Sequence, residues 1–165
     1  MRDIEPAELG RWYDAHAAAL LLYARQWLER QAAEDVVQNA FLRLATHSDR
    51  VKNVRAWLFT AVRNAAMTEH RSRQRRDRRH RVVLERQADL FEPDVDDQID
   101  GVDAQRIVDT LPPDQREIIV LRIWGGLSLP EAAEVLAEPV STLFSRYKAG
   151  LAQIRRQMES PCKAK

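Results

Sequence analysis

The sequence of 165 residues has a single cysteine, Cys162, which excludes an intramolecular disulfide framework and a zinc site built from several cysteines. It has no apolar run near the roughly 20 residues that a helix needs to cross a bilayer, and its first residues lack the apolar segment of a signal peptide. We therefore expect a cytoplasmic protein that does not insert into a membrane.

The sequence is also poor in the patterns that mark common active sites. Its four histidines are scattered, without a pair one helical turn apart and without a matching set of carboxylates. It contains neither a glycine-rich phosphate loop nor a nucleophile elbow. These absences predict no metal, no cofactor, no small-molecule substrate and no enzymatic activity.

Glycine and proline are almost absent before Glu92, while apolar residues recur there at helical spacing. The pattern predicts one helix over about 6–30, a second over about 33–46, and a third that starts near Val54 and continues into an arginine-rich segment. The polar residues 47–53 predict an exposed loop. The first half is therefore expected to be entirely helical.

The net charge of +1 hides two segments of opposite sign. Between Arg71 and Arg81, seven arginines are opposed only by Asp77, whereas residues 89–103 hold seven acidic residues and no lysine or arginine. The acidic segment also loses the apolar periodicity, which is typical of a linker. We predict an all-α protein of two small helical domains, residues 1–87 and 104–165, joined by an acidic flexible linker over 88–103.

The second half contains the helix start and stop signals of a helix-turn-helix. Its first helix ends at Gly125 and Gly126, which suit the left-handed backbone that often follows a helix. Ser128 and Glu131 form a capping-box pattern that starts the next helix. Pro139 closes that helix, and the last helix carries an apolar stripe of Val140, Leu143, Tyr147, Leu151, Ile154 and Met158. In this geometry the last helix is the one offered to the major groove of DNA.

Four sequence blocks, taken in order, resemble one protein family. The chain is similar to a bacterial sigma factor of the extracytoplasmic-function (ECF) group of the sigma-70 family, with region 2 over about 9–81 and region 4 over about 104–158. The blocks are AEDVVQNAFLRL (33–44), RAWLFTAVRN (55–64), LPPDQREIIVLR (111–122) and PVSTLFSR (139–146). The resemblance implies a specificity subunit that directs promoter-specific initiation by recognising minus-10 and minus-35 elements and stabilising the melted strand.

The second predicted helix has a mainly polar face opposite its apolar stripe. The resemblance implies that this face binds the beta-prime clamp of core RNA polymerase, and that the beta flap and an anti-sigma protein are further partners. The alternative is an ordinary solvated helix face. The residues expected to bind the polymerase are Asp35, Gln38, Asn39 and Leu42.

The third predicted helix and the loop before it are candidates for holding melted DNA, because that task needs positive charge for phosphates and planar or polar groups for unstacked bases. The resemblance implies that they capture the minus-10 element. The alternatives are a core role for Trp57 and a solvated helix end for the arginines. The candidate residues are Arg50, Lys52, Asn53, Trp57, Arg63, Asn64, Arg71, Arg73, Arg75 and Arg76.

The last helix is expected to contact duplex DNA of the minus-35 element through residues of its first turns, namely Ser141, Thr142, Ser145, Arg146 and Lys148. The sequence departs from the family pattern at four positions nearby. Ala137 and Glu138 replace a usual glycine and apolar residue, Ser141 replaces a glycine, and Phe144 takes a position that is often basic. Base-specific readout by this helix is therefore left open.

Two other functions fit parts of the sequence. A stand-alone DNA-binding regulator would explain the helix-turn-helix, but neither the arginine-rich helix nor the polar face of the second helix. A sigma-like accessory factor that does not itself initiate transcription would fit the departures from the family pattern. Binding to core RNA polymerase distinguishes the first of these from a sigma factor.

Overall fold

The computed structural model describes residues 4–47, 51–80 and 106–159. Every regular element within those ranges is helical, which confirms the predicted all-α fold of two helical domains. The helices that lie wholly between residues 4 and 80 or between 113 and 159 are α1 (Pro6–Ala24), α2 (Arg30–His47), α3 (Val54–His80), α4 (Pro113–Ile123), α5 (Leu129–Leu136) and α6 (Val140–Glu159). We refer to 4–80 as the N-terminal half and to 106–159 as the C-terminal half.

The first helix is shorter than predicted. It ends at Ala24 rather than near Arg30, and a turn separates it from α2. The backbone amide of Trp27 donates to the carbonyl of Ala24 at 3.1 Å. This bond spans three residues, whereas a bond within an α-helix spans four. Leu28, next in the turn, is buried, so apolar residues continue through the break and the helical periodicity did not reveal it.

The three helices of the N-terminal half pack against one another in every pairwise combination. Their shared core is built from fully buried aromatic and aliphatic side chains, among them Leu20, Tyr23, Leu44, Phe59 and Val62. The start of α3 is where the sequence predicted it. Asn53 caps this helix, because its Oδ1 accepts a hydrogen bond from the backbone amide of Ala56 at 3.1 Å.

The helix-turn-helix of the C-terminal half has the predicted boundary signals. Gly126 follows α4 with φ of 64°, and the capping box of Ser128 and Glu131 is present at the start of α5. At the end of α5, Ala137 has φ of 53°, a left-handed conformation that costs an L-residue roughly 1–2 kcal/mol. Glycine adopts this conformation without that cost, but the chain has alanine at position 137.

The apolar stripe predicted for the last helix packs against the core only in its middle part. Leu143 is fully buried, and Tyr147, Leu151 and Ile154 pack against the core. At the two ends of α6, Val140 is 41% exposed and Met158 is 71% exposed. Val140 and Met158 are on the same side of α6 as Tyr147 and Leu151, but they lie at the helix ends, where they remain exposed.

The two halves pack against each other, with α3 on α5 and α1 on α4. We call this contact the domain seam. It is close at Gly125, where an added Cβ would lie 2.9 Å from Cζ of Phe59 in the N-terminal half. The linker predicted for 88–103 lies outside the described residues.

Candidate nucleic-acid interface

The predicted polymerase-binding residues form one exposed surface on α2. Asp35, Gln38 and Asn39 are all exposed, and Leu42 is 64% exposed. Their spacing of three and four places them along one side of the helix. A carboxylate, two amides and an isolated leucine on one face suit a protein partner that offers both polar groups and a shallow apolar contact.

Tyr13 of α1 is a large exposed side chain beside α2 that sequence reasoning did not select. Its ring lies 5.0 Å from the ring of Phe41, and the side chain is 46% exposed. Its exposure follows from how α1 packs on α2, which periodicity within either helix does not determine.

Trp57 is partly buried and packs against the core of the N-terminal half. The guanidinium of Arg43 lies 5.7 Å from the centre of its ring, which is within the range of a cation–π contact. Most of the indole is therefore already in contact with other parts of the protein, as the core interpretation of Trp57 predicts.

The loop before α3 brings one candidate DNA residue to the domain seam. Lys52 and Asn53 are exposed, and Arg50 lies outside the described residues. While its oxygen caps α3, the amide nitrogen of Asn53 donates to Oε1 of Glu131 at 2.7 Å. Both polar atoms of this side chain are thus engaged.

Glu131 is the centre of a polar cluster that joins the two halves. Besides Asn53, its carboxylate accepts from the backbone amide of Ser128 at 2.7 Å and from Arg55 at 3.4 Å. These bonds, first that from Ser128 and then that from Asn53, lower the pKa of Glu131 to about 2. We call Asn53, Arg55 and Glu131 the Glu131 cluster.

A second, more buried cluster lies deeper in the seam. Nε of Arg63 donates to Oε1 of Glu117 at 2.6 Å, and the hydroxyl of Tyr23 donates to the same oxygen at 2.7 Å. The side chains of Arg63 and Glu117 are only 21% and 14% exposed. We call Tyr23, Arg63 and Glu117 the Glu117 cluster.

Burial and charge act together on this cluster. Burial, followed by the nearby carboxylate of Glu117, raises the pKa of Tyr23 well above its usual value, so the phenol remains a donor. Burial alone lowers the pKa of Arg63, but the hydrogen bond to Glu117 contributes to a net increase. The cluster is therefore a charged pair with a neutral phenol, and its guanidinium is bound to carboxylate.

The arginine-rich part of α3 has two faces with different surroundings. Arg73 pairs with Glu29 at 2.7 Å and with Glu69 at 3.0 Å, and Arg76 lies 3.5 Å from Glu69. Arg71 and Arg75 are exposed and make no ion pair with any residue in the described parts of the chain.

Arg71 and Arg75 share a face of α3 with the exposed Asn64 and Thr68, because the four residues are spaced by four, three and four positions. We call Asn64, Thr68, Arg71 and Arg75 the outer face of α3. It presents an amide, a hydroxyl that donates to the backbone carbonyl of Asn64 at 2.8 Å, and two guanidiniums without an ion pair to the described residues. The row is about 16 Å long, given the rise of about 1.5 Å per residue.

The outward face of α6 carries three of the five predicted minus-35 residues. Ser141, Ser145 and Lys148 are exposed, and the exposed ring of Phe144 lies among them with Nζ of Lys148 at 5.4 Å from its centre. Thr142 is partly buried.

Arg146 is in a different environment from the other four. Its guanidinium is 2.9 Å from Glu138 and 3.4 Å from Asp114, so it links the turn before α6 to the start of α4. Two carboxylates thus neutralise the charge that was predicted to approach DNA.

Other kinds of site receive no support within the described ranges. No cluster of three or more potential metal ligands occurs among residues 4–47, 51–80 and 106–159. In the same ranges, no helix is both long enough and apolar enough to span a bilayer.

Two family models match the sequence. Residues 12–76 match Sigma-70 region 2, and residues 102–154 match Sigma-70, region 4. The chain is 31% identical to the ECF RNA polymerase sigma factor SigL of Mycobacterium tuberculosis over 164 aligned positions, which cover 94% of this chain and 91% of SigL.

Two solved structures are similar in fold. One is the sigma factor RpoE in complex with the anti-sigma factor NepR from Bartonella quintana, with a TM-score of 0.72 and 24% identity over 93% of this chain and 98% of that chain. The other is CnrH in complex with the cytosolic domain of CnrY, with a TM-score of 0.63 and 24% identity over 96% of this chain and 92% of that chain.

Proposed function

The chain belongs to the ECF group of the sigma-70 family, whose role is promoter-directed transcription initiation, and from this premise we propose how its surfaces divide the work. The exposed α2 surface binds the beta-prime clamp of core polymerase. The outer face of α3 holds the melted strand of the minus-10 element. The outward face of α6 contacts duplex DNA of the minus-35 element, and the C-terminal half also binds the beta flap.

The observation that carries this proposal is the outer face of α3. Single-stranded DNA needs cations for its phosphates and hydrogen-bonding groups for its unpaired bases. Arg71 and Arg75 offer cations that make no ion pair with the described residues, and Asn64 offers an amide about two turns before Arg71 on the same face. Arg73 pairs with Glu29 and so holds α3 against the residue that precedes α2, whereas Arg76 pairs with Glu69 within α3 itself.

Two further minus-10 candidates, Arg63 and Asn53, become available only when the domain seam opens. Arg63 and Asn53 are bonded to Glu117 and Glu131, so the C-terminal half supplies carboxylates where DNA would supply phosphates or base edges. We propose that core polymerase separates the halves and that Arg50, Lys52, Asn53 and Arg63, with the exposed edge of Trp57, then face the DNA.

An anti-sigma protein is the proposed antagonist of this separation. Both structures of similar fold are complexes, one with an anti-sigma factor and one with the cytosolic domain of a second protein. A protein that binds both halves while the seam is closed would keep the two carboxylates on Arg63 and Asn53. It would thereby oppose promoter melting without blocking every DNA-binding residue directly.

Run-off transcription with purified core RNA polymerase on genomic fragments tests the proposal. Wild type is expected to initiate at discrete sites, whereas Asp35→Ala loses core binding and Asn64→Ala binds core but melts the promoter poorly. Glu134→Ala on α5 and Gln74→Ala on α3 change exposed residues outside the proposed surfaces and should retain activity.

A different pattern would point to another function. If wild type neither bound core polymerase nor initiated, and its C-terminal half alone bound duplex DNA, the chain would act as a stand-alone regulator. If it bound core polymerase and initiated nowhere, it would act as an accessory factor.

A further inference from the structure

Two large apolar side chains are exposed in the first turns of α6, at the edge of its packed face. Val140 is 41% exposed and Phe144 is 49% exposed, and their spacing of four residues places them side by side along the helix. The inward-facing Leu143, by contrast, is fully buried. The exposed pair lies in the first turns of the second helix of the helix-turn-helix, where side chains approach base edges.

The polar residues on this face are poorly suited to reading bases. Oγ of Ser145 donates to the backbone carbonyl of Ser141 at 3.2 Å. Arg146, the arginine closest to the start of α6, is held by Glu138 and Asp114. The arginine fork is the commonest reader of guanine in the major groove, and the start of α6 offers none that is free.

Lys148 supplies the positive charge on this face. Its ammonium group lies 5.4 Å from the centre of the Phe144 ring, which places a cation directly beside an exposed aromatic group. A ligand for this surface must therefore combine a small apolar group with an adjacent negative charge. Duplex DNA meets this requirement, because the C5-methyl group of thymine is the apolar group of its major groove and lies within reach of the phosphates.

We propose that Phe144, supported by Val140, reads the methyl group of thymine in the upstream promoter element and makes this chain's recognition helix selective for thymine at one or two positions. Lys148 binds a phosphate beside the methyl group that Phe144 contacts. This inference rests on the proposed function, since it assigns a base preference to the same α6 surface.

Deoxyuridine provides a direct test, because it pairs as thymine does and lacks only the methyl group. The probe is a promoter fragment obtained from the run-off experiment, in which each thymine upstream of the melted region is replaced in turn by deoxyuridine, on either strand. The holoenzyme is titrated against each fragment. We expect a loss of about 3–10-fold in affinity at one or two positions, the scale of burying a methyl group.

Phe144→Ala should remove the sensitivity to deoxyuridine at those positions, and Phe144→Leu should retain part of it. Met158→Ala removes an apolar side chain that is 71% exposed further along α6, and it should leave the sensitivity unchanged. Circular dichroism of each variant verifies that α6 is still folded.

Several results would overturn the inference. One is discrete initiation that is indifferent to every thymine-to-deoxyuridine change, and another is equal sensitivity in wild type and Phe144→Ala. A third is weaker binding of Phe144→Ala to core polymerase without any change in base preference, which would assign the face to a protein partner. The absence of any discrete initiation by wild type would instead overturn the proposed function, and the inference with it.

Discussion

The two surfaces proposed to bind DNA, one in each half of this sigma factor, differ in whether their side chains are already engaged. In the N-terminal half, Arg63 and Asn53 are bonded to carboxylates of the other half. In the C-terminal half, Ser141, Phe144 and Lys148 are exposed on α6. On the proposed function, duplex contact through α6 would require no rearrangement, whereas full contact with a melted strand would require the seam to open.

The difference implies an order of events that limits unproductive binding. A chain with a closed seam cannot use its complete minus-10 surface on stray single-stranded DNA. The outer face of α3 remains accessible through Arg71 and Arg75, so we expect weak binding that falls steeply with salt, as counterion release requires. Strong strand binding should appear only after the two halves separate.

The most damaging change to this arrangement should be Glu117→Ala. It leaves Arg63 and Tyr23 without their acceptor in a mostly buried site, and we expect the free energy of unfolding to fall by about 2–3 kcal/mol. Urea denaturation measures this loss. At low salt, the same variant should bind single-stranded DNA several-fold more tightly than wild type, as fluorescence anisotropy would show.

Matched variants distinguish the effect of removing the Glu117 charge from the effect of opening the domain seam. Glu117→Gln keeps an acceptor for Tyr23 and removes the charge, so it should lose less stability than Glu117→Ala. Glu134→Ala removes an exposed acid and should leave both stability and strand affinity near the wild-type values. Equal strand affinity in wild type and Glu117→Ala would show that the seam does not restrain the minus-10 surface.

Gly125→Ala should open the seam without altering any charge. The new Cβ would lie 2.9 Å from Cζ of Phe59 and 2.6 Å from the backbone oxygen of Leu121, so the chain must shift. We expect a loss of about 1–3 kcal/mol, as overpacking usually costs, together with tighter strand binding. Thermal unfolding measures the first effect and anisotropy the second.

The control for this substitution is Gly10→Ala in α1. A Cβ at position 10 meets no atom within 4 Å, and alanine favours a helix over glycine by about 0.5–1 kcal/mol. Gly10→Ala should therefore stabilise the chain, and it should not affect DNA binding. If both substitutions had the same effect on strand affinity, steric opening of the seam would not be its cause.

The Glu131 cluster should make the seam sensitive to acid. The folded pKa of Glu131 is lowered from the ordinary 4.5 to about 2, so its stabilising contribution is complete above about pH 4.5 and is lost as pH falls toward 2. We expect this contribution to be about 1–2 kcal/mol, since the side chain is 23% exposed. Glu131→Gln should flatten the stability profile in that window.

Denaturation of wild type and Glu131→Gln at a series of pH values measures the difference. Because glutamine still caps α5 through its side-chain oxygen, the variant should remain folded at neutral pH. A wild-type curve parallel to that of Glu131→Gln between pH 4.5 and 2 would contradict the assignment.

The smallest expected effect is a gain confined to the C-terminal half. Ala137→Gly should relieve the left-handed backbone at φ of 53° and raise the free energy of unfolding by about 1 kcal/mol. Thermal denaturation should show the higher midpoint, while seam-dependent strand binding stays at the wild-type value. No gain in stability would mean that the strain at position 137 is compensated elsewhere.

How well the sequence predicted each element depended on whether the signal was local. The start of α3 and the capping box of α5 were predicted correctly, because Asn53 and Ser128 act on backbone amides within three residues. The end of α1 was predicted wrongly, because Trp27 and Leu28 continue the apolar pattern through a turn that contains neither glycine nor proline. That turn is stabilised by burial against other helices, which a single helix pattern does not encode.

The same distinction applies to the candidate site. The exposed positions of Asp35, Asn64 and Ser141 followed from helical periodicity. The partners of Arg63 and Asn53 did not, since they lie 54 and 78 residues away along the chain. One signal of a buried carboxylate was available, because Glu117 is followed by four consecutive apolar residues. That pattern did not identify which cation would pair with Glu117.

The Glu117 cluster also limits how the two halves can change over evolutionary time. Arg63 has to suit a carboxylate of the C-terminal half in one state and, as proposed, a DNA strand in the other. On that proposal, a substitution at either Arg63 or Glu117 would alter both regulation and recognition, so a change in one half would affect the function of the other. Consider a hybrid of this N-terminal half and a foreign C-terminal half that has an uncharged residue at position 117. It would inherit the promoter preference of its parents, but no carboxylate would hold Arg63 in the closed seam.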